Sequence, residues 1–383
     1  MTANCQDHQN GPFKILMTTD AVGGVWQYCA DLLAGLAQKN VRVLLAVLGP
    51  APSAEQRRQV SSLPNVTLAV GEYALEWMSD PWADVDRSSE WLLGLQKSFD
   101  ADLIHLNGYS HASLPWSKPV LVLAHSCVYS WWRAVYDSTP GPEWLEYKQR
   151  VIAGLTACSR IATPSHAMAD CLVNEYQTRR KKIQVIHNFS RAVGGRAKEK
   201  QPFILAAGRL WDRAKNVALL DRIAPELVWE VRAAGDIHGP EELGAVGKRL
   251  QRLGPLDHAE LLRRMSAAAI FAHPALYEPF GLSVLEAAHA GCALVLSDIP
   301  SLRELWDGAA VFINPRDESA WISELNALSG SPERRDRVGE AAALRAQRYN
   351  AHDSLEAYLS LYRRMLGGEG RKDKQQARKE AAA

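Results

Sequence analysis

Net charge is almost absent from this chain: 44 Lys and Arg against 43 Asp and Glu leave +1. Without a basic excess there is no global field to draw in nucleic acid, and no nucleic-acid partner is expected. Cysteine pairing is absent as well. Cys5, Cys29, Cys127, Cys158, Cys171 and Cys292 include no C-x-x-C and no cluster with zinc spacing. Scattered through apolar runs, they predict reduced core thiols of a cytoplasmic protein and no metal site. No apolar run approaches the ~20 residues that cross a bilayer, and the polar opening MTANCQDHQNGP lacks the basic and apolar regions of a signal peptide. The dinucleotide fingerprint G-x-G-x-x-G is missing too, since DAVGGVW (20–26) has the wrong arrangement, and this argues against an NAD-dependent dehydrogenase.

What is present is a regular alternation of strand and helix patterns over 383 residues, enough for two domains. Strands are expected at 13–19, 41–49, 66–70, 102–108, 119–125, 161–163 and 183–188. After a polar, basic stretch the rhythm restarts at 203–210, 229–235, 269–275, 293–298 and 309–315. These runs are continuous in Val, Ile and Leu rather than alternating, which suits parallel strands covered on both faces. The expected fold is α/β: two Rossmann-like doubly wound domains facing across a cleft. The expected division is a flexible N-terminus (1–12), a first domain (13–190), a linker (191–202), a second domain (203–350), a closing amphipathic helix (351–366) and a disordered tail (367–383).

Ligands of open α/β sheets bind beyond the carboxyl ends of the strands. The richest such place is HPALYEPFGLSVLEAAHAGCALVLSD (273–298). Here a strand ends, a tight loop carries Glu278, Phe280 and Gly281, and a helix is predicted over 282–290. The first N–H groups of that helix, from Gly281, Leu282 and Ser283, have no partner within it and favour an anion. Gly281 lets a phosphate approach without a Cβ in the way. Glu286 lies about 7 Å further along the axis, placed to accept from ribose hydroxyls, and Glu278 precedes the helix on the sugar side. In AAGRLWDRAKN (206–216), Arg209 and Lys215 follow the strand that opens the second domain and supply fixed cations for a diphosphate. A strand–loop–helix with solvated glutamates and a solvated Arg–Lys pair is the plainer reading of each segment alone.

The first domain contributes Gly23 and Gly24 after its first strand, where the backbone can approach a ligand. His125 ends the strand LVLAH, as either a structural or a site histidine. Neighbouring Cys127 raises a Cys/His dyad, for which no orienting Asn or Asp stands out. Trp26, Tyr109, Trp131 and Trp132 are candidates for an aromatic acceptor wall, with core packing as the alternative. The run Arg179-Arg180-Lys181-Lys182 reads as a solvated loop or as a patch for peripheral membrane contact.

Taken together, GRLWDRAK (208–215), EPFGLSVLE (278–286, an E-x7-E pattern) and the AHAGCALVLSDIPSLRE that follows resemble glycosyltransferase family 4. GGVWQY (23–28) and VIHN (185–188) resemble elements of the same family, with Phe189 and Asn216 standing where the family commonly has glycine. The resemblance covers roughly residues 13–366. It implies the GT-B fold, a closing helix that crosses back to the first domain, and a retaining, metal-independent hexosyl transfer from a nucleotide-diphosphate sugar to a hydroxyl acceptor by front-face attack. A UDP-sugar is favoured as donor, and the acceptor is a sugar, a lipid-linked sugar or a small molecule. The donor is a co-substrate, and no cofactor is implied. Arg209 and Lys215 would hold the diphosphate and Glu286 the ribose. Glu278 with the Gly281 and Leu282 amides would meet sugar and phosphate, and His125 would position the sugar and stabilise charge. The rivals are a nucleotide-sugar epimerase on the same scaffold, which needs acid/base carboxylates in the first domain's cleft, and a non-catalytic nucleotide-sugar-binding protein, which would be expected to have lost one of these groups.

Overall fold

In this computed structural model, residues 13–191, 195–239, 247 and 249–367 are described. The expected N-terminal segment 1–12, residues 192–194 of the expected linker and residues 368–383 of the expected tail lie outside them. Two parallel sheets form the frame. The first is built from β1 (Phe13–Asp20), β2 (Val41–Leu48), β3 (Val66–Val70), β4 (Leu103–Leu106), β5 (Val120–Leu123), β6 (Arg160–Thr163) and β7 (Ile183–Val185), in the order β3-β2-β1-β4-β5-β6-β7. The second holds β8 (Gln201–Ala207), β9 (Val231–Ala234), β10 (Gln251–Gly254), β11 (Ala268–His273), β12 (Ala293–Ser297) and β13 (Val311–Ile313), in the order β10-β9-β8-β11-β12-β13. Twelve of these strands fall on the expected runs. The thirteenth, β10, was not legible: QRLG has a single large apolar side chain, and it pairs only at the sheet edge, against β9.

The continuous apolar runs are explained by burial on both faces. Along β1, Ile15 and Met17 point into one core while Leu16 points into the other; along β8, Phe203 and Leu205 alternate in the same way with Ile204 and Ala206. One of the four cores is completed from the far end of the chain. Helix Ala351–Leu366 sends Leu355, Tyr358, Leu359, Tyr362 and Met365 against Ile15 and Met17 of the first sheet. Their spacing is that of one helical stripe. Helix Gly24–Leu36 admits this helix closely because Gly35 has no side chain: a Cβ there would lie 3.2 Å from Leu355 Cδ2.

Each sheet has one place where neighbouring strands leave in opposite directions, at β1/β4 in the first and β8/β11 in the second. A crevice opens at the carboxyl end of such a switch point. The two crevices meet across the domain boundary. Glu304 of helix Pro300–Trp306 accepts from the His166 and Ala167 amides that start helix His166–Tyr176, both at 2.8 Å. Ser165 Oγ donates to the Pro279 carbonyl at 2.7 Å. These contacts hold the 278–281 loop against the first domain.

Candidate functional site

A cleft of about 770 Å³ lies between the two switch points. Gly23, Gly24, His125, Arg209, Lys215, Glu278, Phe280, Gly281, Leu282, Ser283 and Glu286 all line it. Residues far apart in the chain but singled out by one chemical expectation therefore meet in one space.

The second-domain wall is charged and tightly held. Glu278 is only 7% exposed, yet its Oε2 takes both Lys215 Nζ at 2.6 Å and His273 Nε2 at 2.9 Å. Burial pushes the Glu278 carboxyl up, but the Lys215 ammonium and the His273 hydrogen bond outweigh it and hold it well below the usual carboxylate range. Ser301 Oγ donates to the Glu278 carbonyl and fixes the backbone behind it. Gly281 then turns the chain into helix Leu282–His289 with φ 87°, in the left-handed region. A Cβ there would meet Val284 Cγ2 at 3.1 Å and Glu278 Cγ at 3.3 Å, so glycine serves both the turn and the fit. One and a half turns on, buried Glu286 accepts at Oε1 from His258 Nε2 (2.8 Å) and from Ser190 Oγ (3.1 Å). The Glu286 carboxylate in turn raises the pKa of His258.

Arg209 enters from the end of β8. Its Nη2 donates to Asp212 Oδ2 at 2.7 Å, and its guanidinium lies 5.2 Å from the Trp211 ring centre. The Gly23 loop sits directly above it: a Cβ on Gly23, itself at φ 80°, would lie 3.4 Å from Arg209 Cδ. Asp20 at the end of β1 is pushed up to about 6 by burial, an effect that the Val22 amide and the Arg209 charge only partly offset. Lys215 ends a short turn closed by Asn216 in the left-handed region at φ 51°. This explains why asparagine stands where the family commonly has glycine. Asparagine tolerates that conformation, and here its Nδ2 also donates to the Pro274 and Pro315 carbonyls, both at 2.9 Å. Phe189 is fully buried in the first-sheet core.

The first-domain wall is largely uncharged. His125 Nε2 lies 2.7 Å from Asn107 Oδ1, and burial pushes the imidazole down to about 3. A ring kept neutral carries no positive charge of its own, so it acts through its hydrogen bonds. The Cys/His dyad is not formed: the Cys127 thiol is buried, bonds Ser130 Oγ at 2.8 Å and is pushed up by burial.

The aromatic wall needs the larger correction. Trp26 is buried in the core with its Nε1 on Gln59, and buried Tyr109 donates its hydroxyl to the Ser126 carbonyl. Trp132 packs among Trp131, Tyr136 and Trp144 rather than on the cleft. Of the four, only Trp131 lines the cleft, where its Nε1 donates across the boundary to Asp212 Oδ1 at 3.0 Å. Packing took Trp26 and Tyr109 into the apolar cores, while Trp132 is held in a cluster of neighbouring rings. The basic run is likewise partly committed. Lys182 Nζ caps the Leu155 and Thr156 carbonyls, and Arg180 binds His166 and Asp170. No described helix is long and apolar enough to cross a membrane.

Sequence reasoning missed Asp20, Asn107, Asp212, His258, His273 and Tyr277. His273 and Asn107 carry the same signal that picked out His125, a polar side chain at the end of an apolar strand. Asp212 lies three residues after Arg209, a spacing that a turn brings together. His258 and Tyr277, whose hydroxyl accepts from Ser130 Oγ at 2.8 Å, have partners in distant segments and no local signal.

Comparison with known proteins bears on the family and the fold. Residues 22–189 match the family described as Glycosyltransferase Family 4, and residues 201–330 match Glycosyl transferases group 1. The O-antigen chain mannosyltransferase RfbU of Salmonella typhimurium is 26% identical over 198 residues, 49% of this chain and 55% of that protein. The GDP-mannose:cellobiosyl-diphosphopolyprenol alpha-mannosyltransferase of Komagataeibacter xylinus is 35% identical over 117 residues, 30% of each chain. The chain thus spans about half, or less, of the length of the curated relatives it matches. Among solved structures, sucrose-phosphate synthase from Thermosynechococcus elongatus superposes with a TM-score of 0.77 at 16% identity, covering 93% of this chain and 100% of that one. Anabaena HepE in complex with UDP-glucose gives 0.72 at 15%, covering 91% and 99%. At these identities the likeness shows the fold, the two-domain GT-B arrangement.

Proposed function

The chain belongs to glycosyltransferase family 4, and we propose that it moves a hexose-type sugar from a nucleotide-diphosphate sugar to a hydroxyl acceptor with retention of configuration. The observation that carries this reading is the convergence of Arg209, Lys215 and the Gly281 helix start on one cleft wall, with Glu286 one and a half turns behind. Two fixed cations beside free amides suit a diphosphate, and a buried carboxylate at that distance suits the ribose hydroxyls.

In the proposed reaction Arg209, Lys215 and the first amides of helix Leu282–His289 hold the diphosphate and take up charge as the glycosidic bond breaks, without a bound metal. The acceptor hydroxyl attacks from the same face, and a donor phosphate oxygen takes its proton. Glu278, held ionised by Lys215 and His273, faces the sugar hydroxyls. His125 bounds the sugar from the first domain. UDP-glucose is the first donor to try, because the Anabaena neighbour was solved with it. GDP-mannose is the second, because one relative is named for it. The acceptor, a sugar, lipid-linked sugar or small molecule, would enter from the first-domain side.

A thermal-shift panel of nucleotide sugars followed by turnover with simple glycoside acceptors tests the reading. A donor at 100 times its Kd adds roughly 2.7 kcal/mol of stability, and the product's anomeric proton should report retention. A panel with no stabilising nucleotide sugar, or a product of inverted configuration, would overturn it.

A further inference from the structure

The wall of the cleft opposite the donor cations contains a hydrogen-bond chain whose direction can be deduced. The Thr18 carbonyl can only accept, so the 2.6 Å contact it makes with the Asn107 amide must come from the NH2 group, which is therefore Nδ2. The Asn107 backbone N–H donates to Thr18 Oγ1 at 3.0 Å, and Nδ2 also reaches Cys29 Sγ at 3.4 Å, so the amide is pinned from two elements. Its Oδ1 is left facing His125 Nε2 at 2.7 Å. An amide oxygen only accepts, so the ring proton sits on Nε2 and the lone pair on Nδ1.

We propose that Asn107 is a positioning residue that fixes the His125 proton on Nε2 and so presents Nδ1 to the cleft as an acceptor for a hydroxyl of the transferred sugar. This rests on the nucleotide-sugar reading for its ligand, but not for the tautomer. The surroundings fit an uncharged ring. Tyr28 meets it edge-on with centroids 4.9 Å apart, and His105 lies on the neighbouring strand β4. Burial pushes Tyr28 up, Cys29 up to about 12 and His105 down to about 3, so each of these neighbours is neutral. The nearby carboxyl, Asp20 beside Cys29, is itself pushed up to about 6 by burial. In such a setting asparagine sets the proton's place without adding charge.

The test reads the tautomer directly, from ring carbon and nitrogen shifts of histidine-labelled full-length protein between pH 5 and 8, with His125→Gln assigning the signal. The wild type should show the neutral Nε2–H form throughout. Asn107→Asp keeps the accepting oxygen but sets its other oxygen against the Thr18 carbonyl in place of Nδ2, so the ring should lose its wild-type state where that carboxyl is ionised, with about a tenfold loss in kcat/KM there. Asn107→Leu should release the tautomer and lose activity equally at all pH values. An Nδ1–H or charged ring in the wild type at pH 7 would overturn the proposal. So would an unchanged tautomer in both variants, or losses that merely follow the melting temperature. The expected tautomer in a protein that binds no nucleotide sugar would overturn the functional reading and the sugar's part of the proposal, leaving Asn107's hold on the proton.

Discussion

The two walls of the cleft are built on different principles. The second-domain wall concentrates charge, and part of it is held by near neighbours in sequence: His273 lies five residues from Glu278 and Asp212 three from Arg209, while Lys215 reaches Glu278 across 63 positions. The first-domain wall is neutral and held from afar: Asn107 is anchored on Thr18, 89 positions away, and the Cys127 amide is 150 positions from the Tyr277 hydroxyl it bonds. Charge in a low-dielectric cleft must be neutralised within a few ångströms, so Arg209, Glu278 and Glu286 each have a partner within 3 Å. A wall that only shapes and orients has no such demand. Its side chains can be fixed by whichever elements happen to pack behind it, including helix Ala351–Leu366, whose Tyr358 lies behind Tyr28 and so behind His125.

The contrast can be broken first at its strongest point. Lys215→Met would leave the Glu278 carboxylate buried with His273 alone, and denaturation at pH 7 should show a loss of about 3–5 kcal/mol with donor turnover abolished. The wild-type contribution has a definite sign. The folded pKa of Glu278 is depressed, so its stabilisation is present above the unfolded value and is lost as pH falls through the folded one. Asp212→Ala removes the acceptor of Trp131 Nε1, Arg209 and the Ala214 amide at once. A loss of roughly 1–3 kcal/mol is expected, together with a raised donor KM, since Arg209 is no longer held.

Asp20→Asn sharpens the comparison from the neutral side. The folded carboxyl, at about 6 against an unfolded value near 3.8, binds its proton more tightly than the open chain does. Its contribution therefore falls as pH rises from about 4 to 6 and stays unfavourable at pH 7. Asparagine keeps the acceptor for the Val22 amide, so the variant should be more stable at pH 7, on the order of 2 kcal/mol, with a flatter pH profile in that window. The smallest effects separate the tryptophans. Trp131→Phe should cost about 1 kcal/mol and raise donor KM a few-fold through the lost bond to Asp212. Trp132→Phe should leave donor KM unchanged.

The same difference explains what could be read in the sequence. Strand runs and their order of appearance were legible because burial on both faces demands unbroken Val, Ile and Leu. Only β10, an edge strand with one large apolar side chain, escaped. On the charged wall, Arg209, Lys215, Glu278, Gly281 and Glu286 could be named because the turn that carries the first two and the helix start that carries the other three are each short motifs. On the neutral wall, an aromatic side chain looks the same in the sequence whether it faces a core or a cleft. Trp26 and Tyr109 went to the core, and Trp131 became a hydrogen-bond donor to the other domain. Asn107 acquires its role only when β1, β4 and β5 lie side by side, which no local pattern announces.

That the second-domain wall is the donor site is most directly tested by calorimetric titration of UDP-glucose and GDP-mannose into the wild type, Glu286→Gln and Trp26→Phe. One donor should bind the wild type and Trp26→Phe alike, and bind Glu286→Gln at least about tenfold more weakly, the loss of a charge-assisted bond to the ribose. No binding of either donor to the wild type, or an unchanged Kd in Glu286→Gln, would contradict it.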